Sequence, residues 1–171
     1  MYLEELALDN FKSFGDRTRI PLREDFTAIT GPNGSGKSNI LDAIQFALGL
    51  GRVSDVRARR LTDLIHHADD EEPRLPRETE VTVVLNNENG TLSADQLRAA
   101  TGADVADPSH IRIRRRIRQT KNNSYSYYYI GDNAVNLGDI RELMAQAGVS
   151  DERYNIVPQG DITELINRTP M

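Results

Sequence analysis

The sequence contains no cysteine, and this absence excludes disulfide bonds and zinc–thiolate sites. A reducing cytoplasm is the simplest location for such a chain, and we expect the protein there. The sequence also lacks an apolar run of about 20 residues, the length that a membrane-spanning helix needs. Its first residues are amphipathic and acidic, not basic and then apolar. The sequence therefore predicts neither contact with a membrane nor a secretory leader.

Lysine is scarce and occurs only at Lys12, Lys37 and Lys121. Acidic residues outnumber basic ones, 26 against 21, and the net charge is −5. This balance is typical either of a salt-adapted organism or of GC-rich coding bias. It provides no overall basic surface for nucleic acid. The charge is unevenly placed, however, since residues 66–73 (HHADDEEP) are acidic and residues 112–118 (RIRRRIR) are basic.

The hydrophobic pattern predicts one α/β lobe with a mixed sheet, in which β-hairpins stand beside a strand–loop–helix unit. Residues 53–72 are predicted as loop with one short helix. The predicted strands lie near the N-terminus and over residues 26–30, 79–87, 110–118 and 125–130, with 26–30 buried. The predicted helices cover residues 38–50, 93–102 and 138–149.

The strand at residues 110–118 alternates between apolar and charged positions. One face carries isoleucines: Ile111, Ile113 and Ile117. The other face carries an arginine ridge: Arg112, Arg114, Arg116 and Arg118. Such a ridge can contact the phosphates of double-stranded DNA, or it can pair with local acids on an exposed strand face. The tyrosines of residues 125–130 are predicted to pack within the hairpin rather than to stack on bases.

Residues 31–38 (GPNGSGKS) fit the phosphate-binding pattern G-x-x-x-x-G-K-[ST] completely. The glycines allow successive backbone N–H groups to surround a phosphate at a helix N-terminus. Lys37 can reach the β- and γ-phosphates, and the Ser38 hydroxyl can ligate Mg²⁺. A β-prone run before the loop and an amphipathic helix after it provide the expected context. The sequence therefore predicts a nucleotide site.

The residues around this loop resemble those of structural maintenance of chromosomes (SMC) proteins, of archaeal type. The resemblance starts in LDNFKSF, continues through the phosphate loop, VRARRLTDLI and RIRRRI, and ends in YNIVPQGDITELI. It implies the N-terminal lobe of an ABC-type ATPase head, in which two heads enclose two ATP molecules with Mg²⁺. We therefore expect an ATPase that acts in chromosome condensation and segregation through ATP-driven head engagement on DNA.

The resemblance also implies roles for individual residues. Gln159 would contact the nucleotide and Mg²⁺, and Arg57 would extend a guanidinium toward the phosphates, although Arg59 or Arg60 could take that role instead. Instead of contacting the nucleotide, these arginines could form a solvated or DNA-facing cluster. Lys12 could likewise be a solvated lysine at a strand end. The implied catalytic residues are Lys37, Arg57 and Gln159. The implied nucleotide-binding residues are Lys12, Ser13, Pro32, Asn33, Gly34, Ser35, Gly36, Lys37, Ser38, Asn39, Asp63 and Gln159.

Three parts of a complete head are missing from the sequence: an apolar strand ending in Asp-Glu, an L-S-G-G signature and a long heptad region. We therefore expect residues 1–171 to be one lobe of a longer chain, without its coiled coil, hinge and C-terminal lobe. Hydrolysis would need that C-terminal lobe and a second head, in a homodimer. A kleisin subunit and double-stranded DNA are the other implied partners, with the protein associated with the nucleoid.

Three other functions fit parts of the pattern. A RecF- or RecN-like repair ATPase shares the FKSF element, although NIVPQGDI favours SMC. A self-contained P-loop kinase would need an acceptor site and a lid, which the sequence does not show. A DNA-binding module could use ATP only structurally.

Overall fold

The computed structural model describes residues 1–50, 58–67 and 75–149. Six strands in these ranges form one sheet with the order β2-β1-β3-β4-β5-β6, and every neighbouring pair is antiparallel. The strands are β1 (Tyr2–Asp9), β2 (Thr18–Pro21), β3 (Arg77–Asn86), β4 (His110–Gln119), β5 (Ser124–Ile130) and β6 (Asn133–Val135). The α/β class is confirmed, but the prediction of a mixed sheet is wrong for the described residues. The short strands β2 and β6 were not predicted.

The three predicted helices are confirmed as α1 (Lys37–Leu48), α2 (Ala94–Thr101) and α3 (Leu137–Gln146). Capping boxes at Ser93 and Asn136 begin α2 and α3, because these side chains accept hydrogen bonds from orphan N–H groups. Helix α1 ends at Gly49, which adopts the left-handed conformation with φ 67°. A single 3-10 turn at Leu61–Leu64 provides the short helix that was predicted between residues 53 and 72.

The core lies between the sheet and the helices. Helix α1 contacts β3 and β4, and α2 packs against α3 and β6. Alternate residues of β3 and β4 are buried beneath the helices, as the period of two along a strand requires. Phe11 and Phe46 are fully or almost fully buried, and their ring centroids lie 5.6 Å apart. Across the described part of the chain, no helix is long and apolar enough to cross a membrane.

The predicted buried strand at residues 26–30 is wrong. These residues form no strand, and all five are exposed; Phe26 is 79% exposed. A strand needs a neighbour to satisfy its backbone hydrogen bonds, and no described strand pairs with this segment. The same result accounts for the antiparallel sheet, since a strand–loop–helix crossover is the connection that parallel strands require.

Candidate functional site

The phosphate loop leads directly into the first turn of α1. Gly34 and Gly36 have φ of 81° and 89°, a left-handed conformation that glycine adopts without a steric penalty. Gly36 is the N-cap of α1, and no described side chain caps it. The Lys37 ammonium donates hydrogen bonds to the carbonyl oxygens of Gly31 at 2.7 Å and Pro32 at 2.6 Å. Lys37 thus lies across the mouth of the loop.

Residues 11–14 (FKSF) form a tight turn that packs against the start of α1. The backbone N–H and carbonyl groups of Phe11 and Phe14 bond each other at 2.8 Å. The Asn39 side-chain amide donates to the Ser13 hydroxyl at 2.9 Å. A Cβ added to Gly36 would lie 2.8 Å from Ser13 Oγ, so this close approach requires glycine. The predicted nucleotide residues Ser13, Gly36 and Asn39 are therefore in direct contact.

Lys12 forms an ion pair with Asp42 of α1. The two side chains are only 11% and 5% exposed, so the alternative of a solvated lysine at a strand end is wrong. Lys12 has φ 48°, which directs the turn back over the helix. Its backbone is also fixed, because its N–H bonds the Leu64 carbonyl and its carbonyl contacts the His66 ring. The turn is thus held to both α1 and the 3-10 segment.

An open pocket of about 550 Å³ lies between the FKSF turn and the 3-10 segment. The carboxylate of Asp63 accepts the backbone N–H groups of Arg59 and Arg60 at 3.0 and 2.8 Å, so it also shapes the segment locally. Four predicted nucleotide residues line this pocket: Lys12, Ser13, Asn39 and Asp63. The fold has brought them together from three separate parts of the sequence.

The described residues fit a nucleoside triphosphate with Mg²⁺. The exposed loop residues Pro32, Asn33, Gly34 and Ser35 precede a helix start that has no acidic residue in its first turn, which suits an anion. Ser38 places a hydroxyl in that turn. Arg57 and Gln159 lie outside the described residues, so the second predicted Mg²⁺ ligand and the predicted arginine finger stay predictions.

The arginine ridge lies on the outer face of the sheet, as predicted, but it is largely paired with acids. Glu80 of β3 accepts hydrogen bonds from Nε and a terminal nitrogen of Arg116 at 2.9 and 2.7 Å. The hydrogen bond from Glu80 raises the pKa of the Arg116 guanidinium above its ordinary value. Glu78 lies 3.2 Å from Arg118, and Arg114 lies 4.0 Å from Glu80. Among the described residues, Arg112 forms no ion pair.

The tyrosines of β5 follow the ridge. The Arg114 guanidinium lies 4.4 Å from the ring centroid of Tyr129, a cation–π distance. Tyr125 and Tyr127 are 46% and 39% exposed, and their ring centroids are 6.5 Å apart. Packing within the hairpin is therefore confirmed for Tyr129, while two rings remain on the surface beside the arginines.

The inner face of β4 carries a fifth arginine, Arg115, between the buried isoleucines. It is 9% exposed. One terminal nitrogen donates to the Phe46 carbonyl at 3.0 Å, and Nε donates to Ser126 Oγ at 3.2 Å. Its guanidinium carbon lies 4.2 Å from the Phe46 ring centroid and 4.8 Å from that of Tyr128. Burial lowers the pKa of this guanidinium from its ordinary value.

Comparison with known proteins identifies the family. The model of the RecF/RecN/SMC N terminal domain matches residues 2–153 of this chain. The chain belongs to this family. The chromosome partition protein Smc of Synechococcus sp. is 37% identical over 172 residues, which cover 99% of this chain and 14% of that protein. The Smc of Pyrococcus furiosus is 37% identical over 171 residues, with coverage of 99% and 13%. The chain thus spans about a seventh of the length of these relatives.

Solved SMC heads have the same fold. A structure described as showing ATP-driven dimerization and DNA stimulated activation of SMC ATPases superposes with a TM-score of 0.80 at 37% identity, covering 99% of this chain and 93% of that one. The Smc head domain of Pyrococcus furiosus, bound to the C-terminal domain of ScpA, has a TM-score of 0.78 at 37% identity, with coverage of 99% and 39%. The fold is therefore that of the N-terminal region of an SMC head.

Two residues of this SMC lobe, Asp42 and Arg115, were not found by sequence reasoning. Asp42 lies one turn after Ser38 on α1. A single acidic residue in an amphipathic helix does not reveal from the sequence that it is buried, unless its partner is known. Arg115 breaks the apolar alternation between Ile113 and Ile117. That break was visible in the sequence, but the alternation alone does not say what an inward arginine contacts.

Proposed function

We propose that this chain is the ATP-binding N-terminal lobe of an SMC head, which acts in chromosome condensation and segregation by ATP-driven head engagement on DNA. One observation carries the proposal most directly. The phosphate loop, the FKSF turn and the Asp63 segment converge on the same helix start, in a chain that belongs to the RecF/RecN/SMC family.

The residues divide the work of holding ATP and Mg²⁺. The backbone N–H groups of the loop, of which Pro32 has none, and the Lys37 ammonium would hold the phosphates, and Ser38 and Gln159 would ligate Mg²⁺. When bound, Mg²⁺ would supply positive charge beside the phosphates. Arg57 adds a guanidinium at the same phosphates, since guanidinium groups bind phosphate oxygens in a planar, bidentate way. Lys12 positions the FKSF turn through Asp42, so that Ser13 and Asn39 border the nucleotide.

In this proposal, hydrolysis requires the C-terminal lobe and a second head, and residues 26–30 are where the C-terminal lobe binds. The exposed apolar segment at residues 26–30 precedes the phosphate loop, and Phe26 and Ile29 are 79% and 41% exposed. In this proposal, these two side chains belong to a contact surface. The C-terminal lobe of the same protein covers the segment and supplies its strand neighbour, and a second head of the homodimer completes the ATP site. A kleisin subunit bridges the heads, as the relative bound to ScpA supports.

Double-stranded DNA contacts the arginine ridge in this proposal. Arg112 and Arg118 are exposed at the two ends of the ridge. The binding is salt-dependent, because each neutralised phosphate releases counterions. Glu78 and Glu80 reduce the net positive charge of the ridge. In this proposal, the arginine nitrogens that do not contact these glutamates bind the phosphates. The proposed location is the nucleoid in the cytoplasm.

The relatives favour an SMC protein over a RecF- or RecN-like repair ATPase. The family model covers all three groups, but the curated relatives reported above are chromosome partition proteins. The test is ATP hydrolysis by this chain alone and mixed with the C-terminal lobe of the same protein, with and without DNA. We expect little activity alone, activity on mixing, and loss of that activity in Lys37→Ala.

Two results would bear on the finer claims. DNA stimulation that disappears in Arg57→Ala would extend the proposal to DNA-gated catalysis. Robust turnover by the isolated chain, unchanged by the partner lobe, would contradict the split site and favour a self-contained P-loop enzyme.

A further inference from the structure

Among the residues that the structure describes, Arg115 is a buried cation that the proposed function does not use. Within the described residues, no carboxylate lies within ion-pair distance of it. A buried charge without a counter-ion is costly. The carbonyl, hydroxyl and ring contacts around its guanidinium offset that cost only in part. A well-packed apolar residue would fill this position between Ile113 and Ile117 more cheaply, so stability alone does not account for arginine here.

The contact to the Phe46 carbonyl joins Arg115 to the C-terminal end of α1. Phe46 lies in the last turn of this helix, and its carbonyl also accepts the Gly49 N–H at 3.3 Å. A cation at a helix C-terminus interacts favourably with the partial negative charge there. Helix α1 begins at the phosphate loop. A shift of β4 that moves Arg115 would therefore displace the C-terminal end of α1. The N-terminal end of the same helix lies at the proposed phosphate site.

The same strand carries the arginine ridge on its opposite face. Arg114 and Arg116 are the chain neighbours of Arg115, and their side chains point outward to Glu80 and Tyr129. Adjacent residues of a strand share one rigid backbone but face opposite sides of the sheet. Strand β4 thus carries the proposed DNA surface on one side and contacts α1 through Arg115 on the other.

We propose that Arg115 is a positioning residue that couples DNA binding on the ridge to ATP use at the phosphate loop. The inference rests on the proposed function and adds the route within this lobe. DNA that neutralises the ridge changes the arginine–glutamate pairs that fix β4, and Arg115 transmits the change to α1. Because coupling between two binding sites is reciprocal, ATP must also change DNA affinity by the factor with which DNA changes ATP affinity.

Arg141 of α3 offers a control at the same helix end, with an exposed side chain where that of Arg115 is buried. Its Nε donates to the Gly49 carbonyl at 2.8 Å, so it also holds the C-terminal end of α1. It belongs to a helix, however, and not to the strand that carries the ridge. If Arg115 only stabilises the helix end, Arg115→Met and Arg141→Met will have similar consequences. If Arg115 couples the sites, the two variants will differ in their response to DNA.

The experiment measures steady-state ATP hydrolysis by the full-length protein with and without linear double-stranded DNA, for wild type, Arg115→Met, Arg115→Lys and Arg141→Met. DNA affinity is measured in parallel with and without a non-hydrolysable ATP analogue. In Arg115→Met we expect the ratio of stimulated to basal rate to fall toward one. The change that the ATP analogue makes in DNA affinity is expected to shrink by about fivefold, the lower range of allosteric coupling. Arg141→Met is expected to keep the wild-type ratio. Arg115→Lys, which retains the charge, is expected to recover part of it.

Equal stimulation in wild type and Arg115→Met, or an equal loss in Arg115→Met and Arg141→Met, would overturn the inference while leaving the proposed function intact. A wild type whose rate does not respond to DNA would contradict DNA-gated hydrolysis and the inference with it. If Arg115→Met does not fold, the ratio of stimulated to basal hydrolysis in Arg115→Lys tests the inference instead. A lowered ratio at unchanged melting temperature supports coupling, and an unchanged ratio overturns it.

Discussion

Two segments flank the start of α1, and they are built in opposite ways. The FKSF turn at residues 11–14 is fixed by backbone pairs, by the Ser13–Asn39 hydrogen bond and by the Lys12–Asp42 ion pair. Residues 26–30 lead into the phosphate loop from the other side, and they are exposed and unpaired with any described strand. One half of the nucleotide site is therefore organised by contacts within this lobe. The other half depends on packing that the described residues do not supply.

In the proposed function, this difference lets the lobe hold a nucleotide while hydrolysis depends on a second lobe. The turn is joined to α1 by the Ser13–Asn39 hydrogen bond and the buried Lys12–Asp42 ion pair. The segment before the loop instead leaves Phe26 and Ile29 exposed, and in the proposed function another lobe covers them. In the proposed function, assembly and nucleotide geometry are linked, since residues 26–30 continue through the phosphate loop into the helix that the FKSF turn contacts.

The largest expected effect is loss of nucleotide binding in Lys37→Ala. The Lys37 ammonium bonds two loop carbonyls, and the same donors can turn to phosphate oxygens. Hydrogen bonds to a charged group contribute about 1.5–3 kcal/mol each, and about 1.4 kcal/mol is tenfold in affinity. Two such bonds contribute about 3–6 kcal/mol together, so we expect ATP affinity to fall by more than about 100-fold, measured by isothermal titration calorimetry with Mg²⁺-ATP.

Lys121→Ala is the matched control for this variant, because Lys121 is exposed in the turn between β4 and β5. It should leave ATP affinity at the wild-type value. If Lys37→Ala binds ATP as tightly as the control, the phosphate loop is not the nucleotide site.

The next effect tests the organised half of the site through Asp42→Asn. This change removes the carboxylate that pairs with the buried Lys12 ammonium, and breaking a buried pair in this way costs about 3 kcal/mol or more. We expect the free energy of unfolding to fall by about 3 kcal/mol, measured by urea denaturation. ATP affinity should fall as well, since the turn loses its tie to α1.

The double variant Lys12→Met/Asp42→Leu is the control, because it removes both charges and keeps the apolar volume. It should recover most of the lost stability. A loss below about 1 kcal/mol in Asp42→Asn would show that the ion pair does not hold the turn.

The sequence predicted best the elements that local rules determine. The phosphate loop, the amphipathic helix after it and the capped helices follow local rules: a glycine pattern, a period near 3.6 and a capping box at Ser93. The strand at residues 26–30 was predicted from β-propensity and is wrong, because a short apolar run becomes a strand only where another strand pairs with it. Asp42 and Arg115 were missed for a related reason. Their roles depend on Lys12 and Phe46, which are distant in sequence, so no local rule could find them.

A smaller effect is expected on the outer face of β4, where the glutamates compete with DNA for the ridge. The double variant Glu78→Gln/Glu80→Gln removes the carboxylates that pair with Arg116 and Arg118. We expect affinity for double-stranded DNA to rise about three- to tenfold at low salt, with a steeper salt dependence. Fluorescence anisotropy over a salt series measures both quantities.

Glu88→Gln/Glu142→Gln changes the net charge by the same amount at exposed positions away from the ridge. It should raise DNA affinity much less. Equal gains in the two double variants would mean that overall charge, and not the ridge, governs binding.

The smallest effect on the lobe itself is expected from Phe26→Ser/Ile29→Ser. Both side chains are exposed, so their replacement should change the free energy of unfolding of this chain by no more than about 0.5 kcal/mol. Association with the C-terminal lobe should nevertheless weaken, because these side chains form the apolar surface before the loop. Leu75→Ser removes another exposed apolar side chain, 44% exposed and outside the segment, and should leave association unchanged. Destabilisation of the isolated chain by more than about 1 kcal/mol would mean that residues 26–30 pack on this lobe after all. Both halves of the site would then be organised from within, and the link between assembly and nucleotide geometry would be lost.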